Sequence, residues 1–417
     1  MRPKRAFLGL TEIAGYYGGL ADGLRTHGVE AVVCDLSGNP YDFAGGSKPA
    51  VVRLAESLAR RNARTSRSSP LKPVWKALAL ASRVPLFAWA AARFDLFVFG
   101  FGTSFFGNRE LPLLRRLRKR IVHVFHGSDS RPPYLDGSLM DGRTAEECIA
   151  LTRAVKQRLR AIERSVDLVV SNPLSSQLHE RPFVSFLALG VPRRCAPAAE
   201  VRTGRPRALH SPSHPAAKGT SELREAVRRL NDRGVELALV ELTGRPNAEV
   251  LAAIAECDFV VDQIYADVAM AGFASEAACA SRPAVVGGYG RSALEAAMCG
   301  APFPPVHFCE PDEVEAAIER LASDRPYRLA LGAEARTFVR ERWAPAEVAG
   351  RLLAALDGDE SLVVDPATID YVEGGGLSRE RLRALVRDVV ALGGAEALQL
   401  SDKPELERRL LALAEAE

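Results

Sequence analysis

The feature that most constrains this chain is an alternation of short apolar runs with longer amphipathic ones, met twice along its length. The first series opens with "RAFLGL" (5–10), then "GYYGGLADGLRTHG" (15–28), which reads as a glycine loop, a helix and a closing glycine, then "VEAVVCDL" (29–36). That is one βαβ unit, with the unbroken apolar runs of strands buried on both faces of a parallel sheet. "FDLFVFGFG" (94–102), "RIVHVFHGSD" (120–129) and "VDLVVSNP" (166–173) continue as strands, the last two separated by a helix over 144–165. A proline-rich passage, "LGVPRRCAPAAEVRTGRPRA" (189–208), reads as an interdomain linker. A second series follows, with strands at "RALHSP", 235–242, 258–263 and 283–288 and long helical patterns over 311–322 and 326–342. At 417 residues the chain exceeds one ordinary core. The expected fold class is therefore α/β: two Rossmann-like, doubly wound parallel sheets facing each other across a cleft, with ligands at the carboxyl ends of the strands.

Composition narrows the function classes. Apolar content of 47% and charged content of 26% are those of a soluble globular protein. A formal net charge of +3 argues against a nucleic-acid partner. The seven cysteines include no CxxC pair and no zinc spacing, and several lie in apolar stretches, so reduced, buried thiols in a cytoplasmic protein are expected. "MRPKRAFLGL" turns polar too early for a signal peptide. The most apolar region, 84–106, is broken by Arg93 and Asp95, which argues against a membrane span. Arginines crowd 53–67 and "RELPLLRRLRKR" (109–120). The small net charge favours a solvated face there over peripheral contact with the inner face of a membrane. The tail, 357–417, holds two charged amphipathic helices (378–393 and 403–416), which suit an appended module or a dimerisation element.

"LHSPSHPAAKGTSEL" (209–223) carries the first chemical signal: a strand end, a loop with two histidines and a lysine, then a helix start. Backbone N–H groups and the helix dipole attract anions there. Lys218 added to them points to a phosphate or diphosphate.

Taken together, "GYYGGLADGL", "HVFHGSD", "HSPSHPAAKGT", "DFVVDQ…GFASEAACASRPAVV" and "ARTFVRERWAPAEVAGRLL" resemble the retaining glycosyltransferases of the GT-B fold, of the family-4 type typified by bacterial mannosyl- and glucosyltransferases. The resemblance lies in motif order and spacing over about 5–356. It implies transfer of a sugar from a nucleotide diphosphate sugar, used as co-substrate with no other cofactor and no essential metal, to a small-molecule, lipid or glycan acceptor. Loops at 39–50, 102–110 and 131–143 are the expected acceptor side.

The roles transfer position by position. Lys218, with Gly219, matches the lysine that neutralises the donor diphosphate. The arginine that often precedes this lysine is absent, leaving His214 as a partial substitute or an ordinary loop histidine. Glu276 matches the carboxylate that accepts hydrogen bonds from the donor ribose, and Gly272, Phe273, Ala274 and Ser275 the helix start that meets phosphate or hexose. The first acid of the family's pair is replaced by Val268, with Asp267 one position away. Glu295 in "LEAAMCGAP" is a rival to Glu276, but Glu276 lies 18 residues after Asp258, near the family spacing, and Glu295 lies 37 after. His126 matches the histidine that points at the reacting sugar. Asp129 follows on the same loop, and Gly18 and Gly19 would let the first loop approach the ligand.

The resulting division is 1–192 as acceptor-binding domain, 193–345 as nucleotide-sugar-binding domain, 346–356 as a helix returning toward the first domain and 357–417 as a helical extension. Two other functions stay open: a sugar-nucleotide epimerase of the same fold, and a catalytically impaired nucleotide-binding or assembly protein.

Overall fold

The computed structural model describes residues 3–37 and 48–415. The acceptor loop expected at 39–50 lies mostly outside the described residues. Among the described residues, twelve strands form two sheets: β1 (Arg5–Leu10), β2 (Glu30–Asp35), β3 (Leu96–Gly100), β4 (Arg120–Val124), β5 (Leu168–Ser171), β6 (Phe183–Ser185), β7 (Arg207–His210), β8 (Ala238–Glu241), β9 (Phe259–Val261), β10 (Ala284–Gly287), β11 (His307–Cys309) and β12 (Val363–Val364). The first sheet runs β12-β6-β5-β4-β3-β1-β2 and the second β11-β10-β9-β7-β8. Every pairing is parallel except that of β12 with β6. This is the two-sheet architecture the resemblance implied.

The apolar runs explain the sheets. Ala6, Phe7 and Leu8 of β1 and Phe97, Val98 and Phe99 of β3 are wholly buried, because helices cover both faces. Each sheet reverses its winding beside its first strand, between β1 and β3 and between β7 and β9. Crevices open at such points, where neighbouring connections leave in opposite directions.

One face of the first sheet is covered by the Tyr16 helix (Tyr16–Thr26) and the Pro345 helix (Pro345–Leu356), which returns from the far end of the second domain. Gly23 permits their contact: a Cβ there would stand 1.9 Å from the Pro345 carbonyl oxygen. On the other face lies the Ala145 helix (Ala145–Glu163), carrying the tail helices Arg379–Gly393 and Pro404–Glu415. Leu382, Val386, Val389, Leu406 and Leu410 are buried there. The apolar faces that suggested a dimerisation element are thus used within the chain. Lys156 is buried under this layer and pairs with Asp402 at 3.0 Å.

Before the Arg379 helix the chain crosses the cleft as a strap. Gly375 N–H donates to the Leu135 carbonyl and Gly137 N–H to the Gly375 carbonyl, each at 2.9 Å, while Gly376 N–H donates to the Tyr265 carbonyl of the second domain at 2.8 Å.

Two expectations need correction. Cys195 and Cys279 form a disulfide, so the thiols are not all reduced. These cysteines are 84 residues apart, and only the fold reveals that the linker lies against the helix ending at Cys279. Second, Gly18 and Gly19 lie inside the Tyr16 helix and not in a loop. Among the described residues, no helix is long and apolar enough to cross a membrane. The helix Lys72–Ala81 nevertheless buries none of its residues.

Candidate functional site

The loop after β7 divides its two histidines between structural tasks. His210 is buried, with Nδ1 2.8 Å from the Val261 carbonyl and Nε2 2.9 Å from the Thr220 hydroxyl. His214 caps the single turn Pro215–Lys218 by accepting from Ala217 N–H at 3.4 Å, and its Nε2 stands 3.4 Å from Asp141 of the first domain. Lys218 ends that turn, and Gly219, at φ 72°, redirects the chain into the helix Thr220–Asp232. The ammonium donates to Gln263 Oε1 at 2.5 Å and lies 3.6 Å from Asp262 Oδ1. Lys218 therefore sits at the winding reversal beside β9, with its charge already faced by a carboxylate.

The Gly272 helix (Gly272–Cys279) starts without a side-chain cap. Its first N–H groups, on Gly272, Phe273 and Ala274, lack intrahelical acceptors by geometry. The Ser275 hydroxyl turns back to the Gly272 carbonyl at 2.8 Å. One turn on, Glu276 accepts from Asn247 Nδ2 at 3.2 Å and stands 3.6 Å from Arg193 Nη1. Burial raises its pKa, and Arg193 and Asn247 oppose the shift. Glu295 is half exposed and paired with Arg291 at 2.9 Å on the outer surface. The fold thus brings Glu276 to the cleft and leaves Glu295 outside it.

From the first domain comes His126, just past β4. Its Nε2 is 3.1 Å from the Tyr17 hydroxyl, and its ring packs against Tyr16 and Phe186. Burial lowers its pKa to about 4, so the imidazole is neutral at physiological pH. Asp129 does not reach the cleft as a free acid: Oδ1 accepts from His126 N–H at 2.8 Å and Gly127 N–H at 3.1 Å, which shapes the loop that presents His126. Burial pushes its pKa up to about 6. Gly18 N–H is bound by the Glu12 carboxylate at 2.9 Å, and a Cβ on Gly19 would stand 2.6 Å from the Pro192 carbonyl oxygen. These two glycines admit the linker and a side chain of their own domain.

Asp267 is engaged as well. Arg131 Nε donates to it at 3.1 Å, and Arg131 Nη1 pairs with Asp136 at 2.6 Å, all three residues being buried. Asp267 therefore joins the domains and, in this arrangement, is not presented as the missing first acid.

Three polar groups at the cleft were not legible as motifs. Glu12 accepts from Tyr17 and Gly18 N–H and so fills the N-terminus of the Tyr16 helix. Asn247 holds Glu276. Arg193, from "VPRRC", donates to the carbonyls of Ala14 at 3.1 Å and Gly272 at 3.2 Å. A paired arginine in a proline-rich linker was the only available signal for it.

Two cavities flank Arg193. The larger, about 340 Å³, is lined by Asn247 and Glu276 with the apolar Leu251, Ile254 and Pro197. The smaller, about 160 Å³, is lined by His126, Tyr16, Val268 and the Met270–Gly272 start. Elsewhere, Ser171, His179 and Glu163 form a hydrogen-bonded relay with spacings of 3.1 and 2.6 Å. It resembles a nucleophile–base–acid set, but Ser171 and His179 are wholly buried and line neither cavity, so the relay ties β5 to the Ala145 helix.

Fold and cleft together define a two-domain α/β protein of the GT-B architecture with a polar crevice between its sheets. Among solved structures the chain is similar to that of Anabaena HepE in complex with UDP and glucose, at 12% identity, covering 86% of this chain and 100% of that one with a TM-score of 0.48. It is also similar to the glycosyltransferase SnogD from Streptomyces nogalater, at 16% identity over 84% of this chain and 99% of that one, TM-score 0.40. No family model and no curated protein sequence matches the chain.

Proposed function

We propose that this chain is a glycosyltransferase that moves a sugar from a nucleotide diphosphate sugar to an acceptor with retention at the anomeric carbon. The observation that carries the reading is the pair of adjoining cavities beyond the carboxyl ends of strands from both sheets. One offers a carboxylate and an amide beside apolar walls, which suits a ribose and a base. The other offers a neutral imidazole and an uncapped helix start, which suits a sugar bearing hydroxyls and a leaving phosphate.

In this reading the protein supplies positioning and charge, and no side chain attacks the anomeric carbon. The departing diphosphate takes the acceptor proton on the face it leaves, while the oxocarbenium-like sugar is held between the domains. The Gly272 helix start faces the growing charge. His126, held by Tyr17, accepts or donates a hydrogen bond to a sugar hydroxyl without carrying charge. Closure of the two domains over the bound sugar would limit hydrolysis by excluding water. Transfer is expected to persist in EDTA.

Thermal shift with UDP-, GDP- and dTDP-sugars tests the reading. At least one should raise the melting temperature of the full chain, since a ligand of the folded state stabilises it. Product analysis with that donor should show transfer with retained anomeric configuration. Absence of any shift overturns the donor assignment; conversion of the sugar nucleotide without an acceptor makes the chain an epimerase.

A further inference from the structure

We infer that Arg193, supplied by the interdomain linker, is the principal cation for the donor diphosphate; the inference rests on the nucleotide-sugar reading above. The position follows from how the cavities meet. Arg193 and Ala14 are the residues that line both of them. A nucleotide sugar is a nucleoside and a hexose joined by a diphosphate. With the nucleoside beside Glu276 and the hexose beside His126, the diphosphate crosses the wall where Arg193 stands.

The guanidinium is built for that place. It is nine-tenths buried, and its Nη groups are fixed by carbonyls from both domains, Ala14 and Gly272. Its Nε is buried with no hydrogen-bond partner. A buried donor left without a partner is costly, and a phosphate oxygen at that wall would satisfy it. The adjoining amides of the Gly272 helix add donors of the same sign. Gly272 itself allows the approach, since a Cβ there would lie 3.2 Å from Arg193 Nη2.

Lys218, the lysine expected in this role, is less well placed. Its ammonium donates to Gln263, and a carboxylate faces each cation at 3.6 Å, Asp262 for Lys218 and Glu276 for Arg193, but Lys218 lines neither cavity, so position separates the two. Arg194 is also engaged, with the Gly18 carbonyl at 2.9 Å and with Asp22. A guanidinium further suits a diphosphate because its planar fork can meet two oxygens at once.

Calorimetric titration of the full chain with UDP and uridine, and with the GDP–guanosine and dTDP–thymidine pairs, separates the diphosphate's share of affinity from the nucleoside's. Arg193→Gln should weaken diphosphate binding about 10- to 100-fold while nucleoside affinity changes less than about threefold. Arg193→Lys, which keeps the charge and most of the stem, should show a smaller loss and guards against misfolding of the glutamine variant. If both variants keep the wild-type ratio of diphosphate to nucleoside affinity, or if Lys218→Ala alone abolishes it, Arg193 does not hold the diphosphate and the nucleotide-sugar reading stands. If the wild type binds no nucleoside diphosphate, that reading fails and the inference falls with it.

Discussion

Arg131 of the first domain and Asp267 of the second form an ion pair across the cleft, with Asp136 on the other side of the guanidinium and Gly375 of the strap lying over it. Removing one partner of a buried pair leaves an uncompensated charge. Asp267→Asn should therefore lower unfolding free energy by about 3 kcal/mol in urea titration. Gly375→Ala, whose Cβ would stand 2.6 Å from Arg131 Cζ, should cost about 1–3 kcal/mol. A variant Asp267→Asn of normal stability that loses affinity for the whole nucleotide sugar, but not for the nucleotide, would instead put Asp267 in the sugar site.

Glu12 should make stability rise as the pH falls. Burial lifts its pKa from 4.5 to about 7 in the folded chain. The folded state then binds the proton more tightly than the unfolded state. The contribution is complete below about pH 4.5 and is lost as the pH climbs through 7, by on the order of 3 kcal/mol. His126, with its pKa lowered to about 4, pulls the other way below about pH 6.5, so the comparison must be made against a variant. Glu12→Gln should flatten the dependence between pH 5 and 8 in denaturant titrations. An unchanged slope would remove Glu12 from the account.

The disulfide between Cys195 and Cys279 closes a span of 84 residues. Loop-closure entropy alone assigns such a link about 4.5 kcal/mol. Reduction, or Cys195→Ser with Cys279→Ser, should shift the guanidinium midpoint down by an equal amount in each case. Identical midpoints with and without reductant would mean that the bond does not form in solution.

Glu276 and Glu295 should behave oppositely. If Glu276 accepts from the donor ribose, the wild type prefers UDP to 2′-deoxy-UDP (or the equivalent pair for GDP), and Glu276→Ala loses about tenfold of that preference. Glu295→Ala should leave it intact, because that carboxylate is exposed and paired with Arg291. The reverse outcome would move the ribose site to the helix Arg291–Ala297.

Strand and helix alternation made both sheets legible, since period and burial are local properties of a short run. The 18-residue spacing from Asp258 favoured Glu276, the carboxylate that does reach the cleft. Groups that act across long separations were not legible. Arg193 meets Gly272 only because the linker is pinned between the domains. Arg131 and Asp267 are 136 positions apart, and nothing in "SDSRPP" announces a partner in "YADVAM". The glycines at 18 and 19 misled for a related reason: a helix packed against the linker needs small residues as much as a ligand loop does.

The tail has one more consequence. β12 joins the edge of the first sheet, and the Arg379 and Pro404 helices complete the layer over the Ala145 helix, so the first domain is assembled from segments on both sides of the second in sequence, which is a continuous insertion. During synthesis, the segment before the insertion therefore waits for the segment after it before their shared core can close. The insertion can finish folding earlier, which reverses the order in which the two halves are made.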